Sequence, residues 1–314
     1  MAPPDRLARY GARLLIDWLS ERFETQFDFS DAQGDAFVAS DGEHRIGVYI
    51  APLWDQEAAT AWEERLRSME ERLSGGGAGG PFLLWVPPRA GVPLEEPDAS
   101  DFVQRVAEAA ASLAPGGRTE VTFPVPVKMG KTREEGGYAS VVGALSRWWT
   151  RITEKVNGTY HVDSSAVHRL THDGEARERL WDTIGRLALS VEVGQVAEFE
   201  VEEAWTLQRL PESEQEAGFA PVGAPTSADP TEGILVRRMA RRRLQAANEA
   251  LDALDVELRV VGLVGIYEYA ELEAAGAMVK ALNPSLFNRF QVVCVLVDGE
   301  VRPTFLPRSL PWAE

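Results

Sequence analysis

The residue types able to do chemistry crowd into one stretch, Tyr138 to His172, which holds three of the chain's four histidines together with Asp163, Ser164, Ser165 and Arg169. Carboxylate, imidazole and hydroxyl are the ingredients of a Ser/His/Asp nucleophile, with His161, Asp163 and His168 the candidate catalytic residues. Sequence neighbours seldom form such a triad, and the chain has no G-x-S-x-G elbow. His161, His168 and His172 could bind zinc with Asp163, but their spacing differs from H-E-x-x-H, and no metal site is assigned. A packing or hydrogen-bonding role stands beside the catalytic one. Arg147, Arg151 and Lys155 recur every fourth residue, so the two arginines are candidate binding residues and are expected to meet Asp163 in a buried polar clasp.

Those groups need an element to carry them. Val141, Val142, Leu145, Trp148, Trp149, Ile152 and Val156 repeat at spacings of three and four, which predicts a helix ended by Asn157-Gly158. Adjacent Trp148 and Trp149 lie about 100° apart on such a helix, so one indole faces the core and the other the surface.

Two charged arrays stand elsewhere. Thr231 is placed as the N-cap of a helix with an apolar seam of Val236, Ala240, Leu244, Ala247, Leu251 and Leu254. Arg237, Arg238, Arg241 and Arg242 flank the seam as candidate binding residues, with Arg243 at its other edge. Cations near a helix N-terminus oppose the macrodipole, so the row suits a phosphate or the acidic segment before it. Glu198, Glu200 and Glu202 share one face of an expected strand, Val191 to Leu207, as a cation site or a solvated face.

In chain order the pattern predicts a first helix on Leu7, Tyr10, Leu14, Leu15 and Trp18, then strands at Thr25 to Phe29, Ala36 to Ser40 and Arg45 to Ile50. A helix capped by Asp55 and carrying Trp62, Leu66, Met69 and Leu73 ends at the glycines from Gly75 to Gly80. A buried strand in PFLLWVPP, a helix from Ser100 to Leu113, an edge strand in TEVTFPVPV and a loop KMGKTREEGGY follow. A helix spans Ala176 to Ala188. Near the end, ELRVVGLVGI and FQVVCVLVDG read as buried parallel strands joined by a helix from Ala270 to Leu282, and Asp298-Gly299 turns into a last strand.

The expected fold is therefore α/β, a mixed sheet flanked by helices that can divide into two αβ subdomains: residues 1–130 as an N-terminal α/β part, 131–210 as a central region, 211–230 as an acidic linker or loop, and 231–314 as a C-terminal α/β part. A net charge of −17 argues against a protein that coats nucleic acid, leaving the Arg237 to Arg243 patch as the one place for it. Cys294 is the single cysteine and falls in an apolar run, so no disulfide framework exists. No stretch reads as a signal peptide or membrane span, which points to a cytoplasmic protein with no membrane contact. The residues name no cofactor.

The order of the first ninety residues, one helix, three strands, one helix and one strand, resembles the core of the restriction-endonuclease-like PD-(D/E)XK nuclease superfamily. The resemblance implies an acid at the start of the second strand, where Asp35 stands in GDAF, and a Glu-x-Lys on the third. That strand reads Ile46-Gly47-Val48-Tyr49, with Glu43 and Arg45 just before it. The expectation is a noncatalytic interaction protein, a nuclease-like module with a lost active site serving a bacterial assembly through a protein partner or as a homo-oligomer. The alternative is a metal-dependent hydrolase, a nuclease or phosphoesterase.

Overall fold

The computed structural model describes residues 6–54, 60–74, 79–87, 90–91, 93, 95–211, 217–223, 233–265 and 286–312. Asp55, the glycines 75–78, most of the 211–230 segment, Thr231 and the Ala270 to Leu282 helix lie outside them. Six helices and two mixed sheets are described, an α/β fold with helices flanking sheets. The chain forms two compact units: Met1–Pro88, Ala110–Arg118 and Leu207–Glu314 make the first, and Arg89–Ala109 with Thr119–Thr206 the second.

In the first unit, helix α1 (Arg6–Phe23) precedes strands β1 (Asp28–Gln33), β2 (Ala36–Ser40) and β3 (Arg45–Pro52), an antiparallel ribbon. Helix α2 (Thr60–Ser74) and strand β4 (Pro81–Trp85) follow. The sheet continues from β3 not into β4 but into β10 (Leu258–Val264), parallel to it, then β11 (Val292–Val297), also parallel, and antiparallel β12 (Glu300–Phe305). Helix α6 (Gly233–Asp252) leads into β10. A β-carbon placed on Gly47 would meet Leu251 of α6, whereas one on Gly11 of α1 would meet Ile50, and residues 47 and 50 point to opposite faces of β3. The sheet is thus covered by α1 on one face and α6 on the other, which is why β3, β10 and β11 are almost continuously apolar and buried.

Strand β4 pairs in parallel with β9 (Gly218–Val222), so part of the expected linker 211–230 is a buried strand. Phe219, Ala220 and Val222 supply the apolar run that a linker reading of the flanking acids and prolines hides.

In the second unit, helix α3 (Asp98–Ser112) is followed by the long strand β5 (Arg118–Arg133), then β6 (Tyr138–Gly143), a 3₁₀ turn (Ala144–Trp148), helix α4 (Trp149–Lys155), strand β7 (Thr159–Ser164), helix α5 (Gly174–Ser190) and strand β8 (Val196–Arg209). The strands stand in the order β6, β7, β5, β8. Two expectations are corrected here. The residues Lys128 to Arg133, read as a loop, extend β5, because Val127 and Met129 keep the inward alternation. The single helix expected from Val141 onward begins only at Trp149. Tyr138 to Gly143 is a strand parallel to β7, since Gly143 has φ 82° and packs so tightly on Ser164 that no side chain fits there. Pro124 and Pro126 are tolerated because β7 pairs with β5 only from Lys128 onward.

One face of these strands packs on α4 and α5 through Val127, Met129, Tyr160, Val162, Ile152, Trp181 and Ile184. Trp148 lies against this core beside Trp181, with ring centroids 5.7 Å apart, while Trp149 is 50 % exposed, the division expected of the pair.

Candidate functional site

The segment between β7 and α5, residues 165–173, lies across strands β5 and β8 and is fastened to both by carboxylates. On β8, the Glu203 side chain is buried. It accepts the backbone N–H of His168 at 2.6 Å, the indole N–H of Trp205 at 3.0 Å, and pairs with Nδ1 of His168 at 3.1 Å. On β5, Glu120 accepts Thr171 Oγ1–H at 2.6 Å and His172 N–H at 2.9 Å, and lies 2.6 Å from His172 Nδ1. Burial pushes the Glu120 carboxyl up, but the donors from Thr171 and His172 and the nearby Arg169 guanidinium outweigh it and hold its pKa below the ordinary glutamate value. Arg169, 4 % exposed, donates from Nη1 to Thr206 Oγ1 at 2.6 Å, and its carbonyl accepts Ala204 N–H. Leu170 bridges Glu203 as a single antiparallel pair.

A buried polar clasp therefore exists in this region, made by Glu120, Arg169, His168 and Glu203. The expected one, Asp163 with Arg147 and Arg151, is corrected on burial. Strand β7 alternates, so Tyr160, Val162 and Ser164 face inward while His161 and Asp163 face outward. Asp163 accepts both the hydroxyl and the N–H of Ser165, at 2.7 and 3.0 Å, and these bonds keep its pKa below the usual carboxylate value. Arg147 and Arg151 are exposed, Arg147 in the 3₁₀ turn and Arg151 on α4.

His168 held by Glu203 has the arrangement of a base oriented by a carboxylate, the second half of a catalytic triad. The hydroxyls beside it are engaged elsewhere, Thr171 with Glu120 and Thr206 with Arg169. A cleft of about 180 Å³ opens next to this segment, lined by Leu170, Thr171, Arg177, Leu180, Glu200 and Glu202 among others. Its lining includes neither His161, Asp163, His168 nor the two arginines, and it is smaller than the cavities that usually enclose small-molecule ligands.

In the first unit, Asp35 lies in the turn before β2 and Glu43 in the turn after it, both exposed. Five residues of strand separate them, about 17 Å, too far to share one metal ion. Where the nuclease pattern places Glu and Lys, β3 carries buried Ile46 and Val48. Among the described residues no three His, Cys, Asp or Glu side chains gather as a metal site. On α6, Arg238, Arg241 and Arg242 are exposed and Arg237 is half-buried. Arg243 is structural: it donates to the carbonyls of Pro52 and Trp54, each at 3.0 Å, at the end of β3.

Glu120, Glu203 and Thr206 escape the sequence reading. For Glu203 a signal exists, because it shares parity with inward-facing Phe199, Val201 and Trp205 rather than with Glu198, Glu200 and Glu202. Comparison with known proteins finds no family model, no curated relative and no solved structure that matches the chain.

Proposed function

We propose that the chain is a noncatalytic α/β interaction protein. The observation that carries this reading is where apolar surface stays exposed. Of the large apolar side chains left exposed among the described residues, Tyr138, Val142, Trp149, Leu189, Val193 and Val196 belong to the second unit and only Phe305 to the first. Scattered apolar exposure needs no explanation, but its concentration in one unit suits a surface that another protein covers. A nuclease-like ancestry is compatible with the first unit. The order helix, three strands, helix, strand is met in one sheet by α1, β1 to β3, α6 and β10, with α2 and β4 outside it. The apolar β3 supports loss of any catalytic function such a module had. Protein association also fits an acidic chain in which no described helix is long and apolar enough to cross a membrane.

The test is an assay of the purified chain with Mg²⁺ or Mn²⁺ on DNA, RNA and a phosphodiester ester, beside sedimentation over a range of concentrations and with candidate partner proteins. Hydrolysis that disappears in Asp35→Ala or His168→Ala would overturn the reading. No hydrolysis, with association weakened by Tyr138→Ser and Trp149→Ser, is the expected result.

A further inference from the structure

The face of the second unit's sheet that points away from α4 and α5 carries exposed or half-buried side chains beyond the 165–173 segment among the described residues. Its outward side chains can be read off the pairing. Tyr138, Ser140 and Val142 of β6 stand beside Thr159, His161 and Asp163 of β7, and the last two stand beside Gly130 and Lys128 of β5. Val196 of β8 comes next to Gly130, its Cγ2 being 3.4 Å from where a β-carbon there would be, and Glu198, Glu200 and Glu202 continue outward along β8. Three strand spacings, about 14 Å, separate the apolar margin on β6 from the glutamates on β8.

Among the described residues the glutamates have no hydrogen bond or ion pair, unlike Glu120 and Glu203. The arginines nearest along the neighbouring cleft are engaged otherwise. Arg177 donates to the His172 carbonyl and lies over the Trp148 ring, and Arg179 faces Asp173 and Glu175. Like charges repeating at every second residue repel one another, and the two cations that the pairing places on this face, Lys128 beside Asp163 and Arg133 beside Thr159, are fewer than the four carboxylates of Asp163 and the three glutamates. A covering partner would relieve that repulsion if it were positively charged.

Resting on the interaction reading above, the geometry points to this face as the docking surface for a basic, amphipathic polypeptide segment. Its lysines or arginines lie over Glu198, Glu200 and Glu202, and its apolar side chains reach Val196, Val142 and Tyr138 across the shallow site at Gly130. A nucleic acid is repelled by the same carboxylates, and a bare cation gains nothing from the apolar margin.

The probe is a synthetic helical peptide of about eighteen residues with Leu on one face and Lys on the other, titrated into the full chain. A Leu/Glu peptide serves as its counterpart. The Leu/Lys peptide is expected to bind with an affinity that falls as salt rises, and the counterpart not to bind. The triple variant Glu198→Gln, Glu200→Gln, Glu202→Gln should weaken binding by about tenfold or more, and Tyr138→Ser with Val142→Thr should weaken it at unchanged salt dependence. A matched triple, Glu21→Gln, Glu64→Gln, Glu71→Gln, removes the same charge from the first unit and should leave affinity unchanged. Equal losses in the two triples, or none in either, would overturn the docking surface while leaving the interaction reading intact. Metal-dependent hydrolysis by the chain would instead defeat that reading.

Discussion

The Cδ2 methyl of Leu251 lies 2.9 Å from the point where a β-carbon on Gly47 would stand, so helix α6 rests directly on the backbone of β3. Leu251 and Leu244 are both buried in that contact, and either change to Ala is expected to cost about 2–5 kcal/mol. Gly47→Val should be destabilising in the opposite sense, by overpacking, because Leu251 and Val256 leave its side chain no room. Urea unfolding midpoints check all three.

The polar clasp makes a contrast between two acids. Glu203→Ala strands the buried indole N–H of Trp205 and the N–H of His168, and is expected to cost about 3–5 kcal/mol in thermal or chemical unfolding. Asp163→Ala removes only an exposed bond to Ser165 and should leave the midpoint nearly unchanged. Comparable losses in the two variants would mean that the 165–173 segment is not anchored through Glu203.

Two carboxylates should give opposite pH dependences. Glu120 has a folded pKa below its unfolded value near 4.5, so its contribution is present above that pH and is lost as pH falls through the folded value. Asp17 on α1 is pushed up by burial, from 3.8 to about 6, against the pull of Arg13, and its Oδ2 has no hydrogen-bond partner. The folded state therefore holds that proton more tightly than the unfolded chain, and stability falls as pH rises from about 4 to about 6. Asp17→Asn is expected to stabilise the protein by roughly 2 kcal/mol at neutral pH and to lose that advantage in acid. Melting curves of wild type, Asp17→Asn and Glu120→Gln across that pH range separate the two.

Burial raises the thiol of Cys294 to about 12, and it sits among the apolar residues of β11. Alkylation by iodoacetamide at mildly alkaline pH should proceed in proportion to the population in which the first unit is open, rising with denaturant concentration and linearly with reagent concentration.

The arginine row on α6 should divide. Arg243→Gln removes two bonds to the end of β3 and is expected to destabilise by about 1–3 kcal/mol, while Arg241→Gln, on the exposed side, should be neutral in the same denaturation assay.

Much of this fold is legible in the sequence because its strands and helices announce their periods. The hairpin of β2 and β3, the buried pair β10 and β11, and the seam of α6 follow from alternation, turn residues and helical spacing. Tyr138 to Gly143 misleads because Val141, Val142 and Leu145 satisfy a helical spacing, and only the pairing with β7 and the contact of Gly143 with Ser164 decide for a strand. The partners of the clasp are not legible, since Glu120 and Arg169 lie far apart in the chain and meet only when β5 and the 165–173 segment are brought together. That His168 would bond to a carboxylate could be expected, but not which one.

The parallel pairing of β3 with β10 joins Ile46 to Leu258, partners that leave the ribosome roughly 200 residues apart. At ordinary synthesis rates, on the order of 10–40 s pass between them, during which α1 and the β1 to β3 ribbon exist with one edge of β3 unmatched. The pairing at the centre of the first unit's sheet thus waits for the C-terminal part of the chain, and the nascent N-terminal segment is the part of this protein most exposed to wrong pairing before that part arrives.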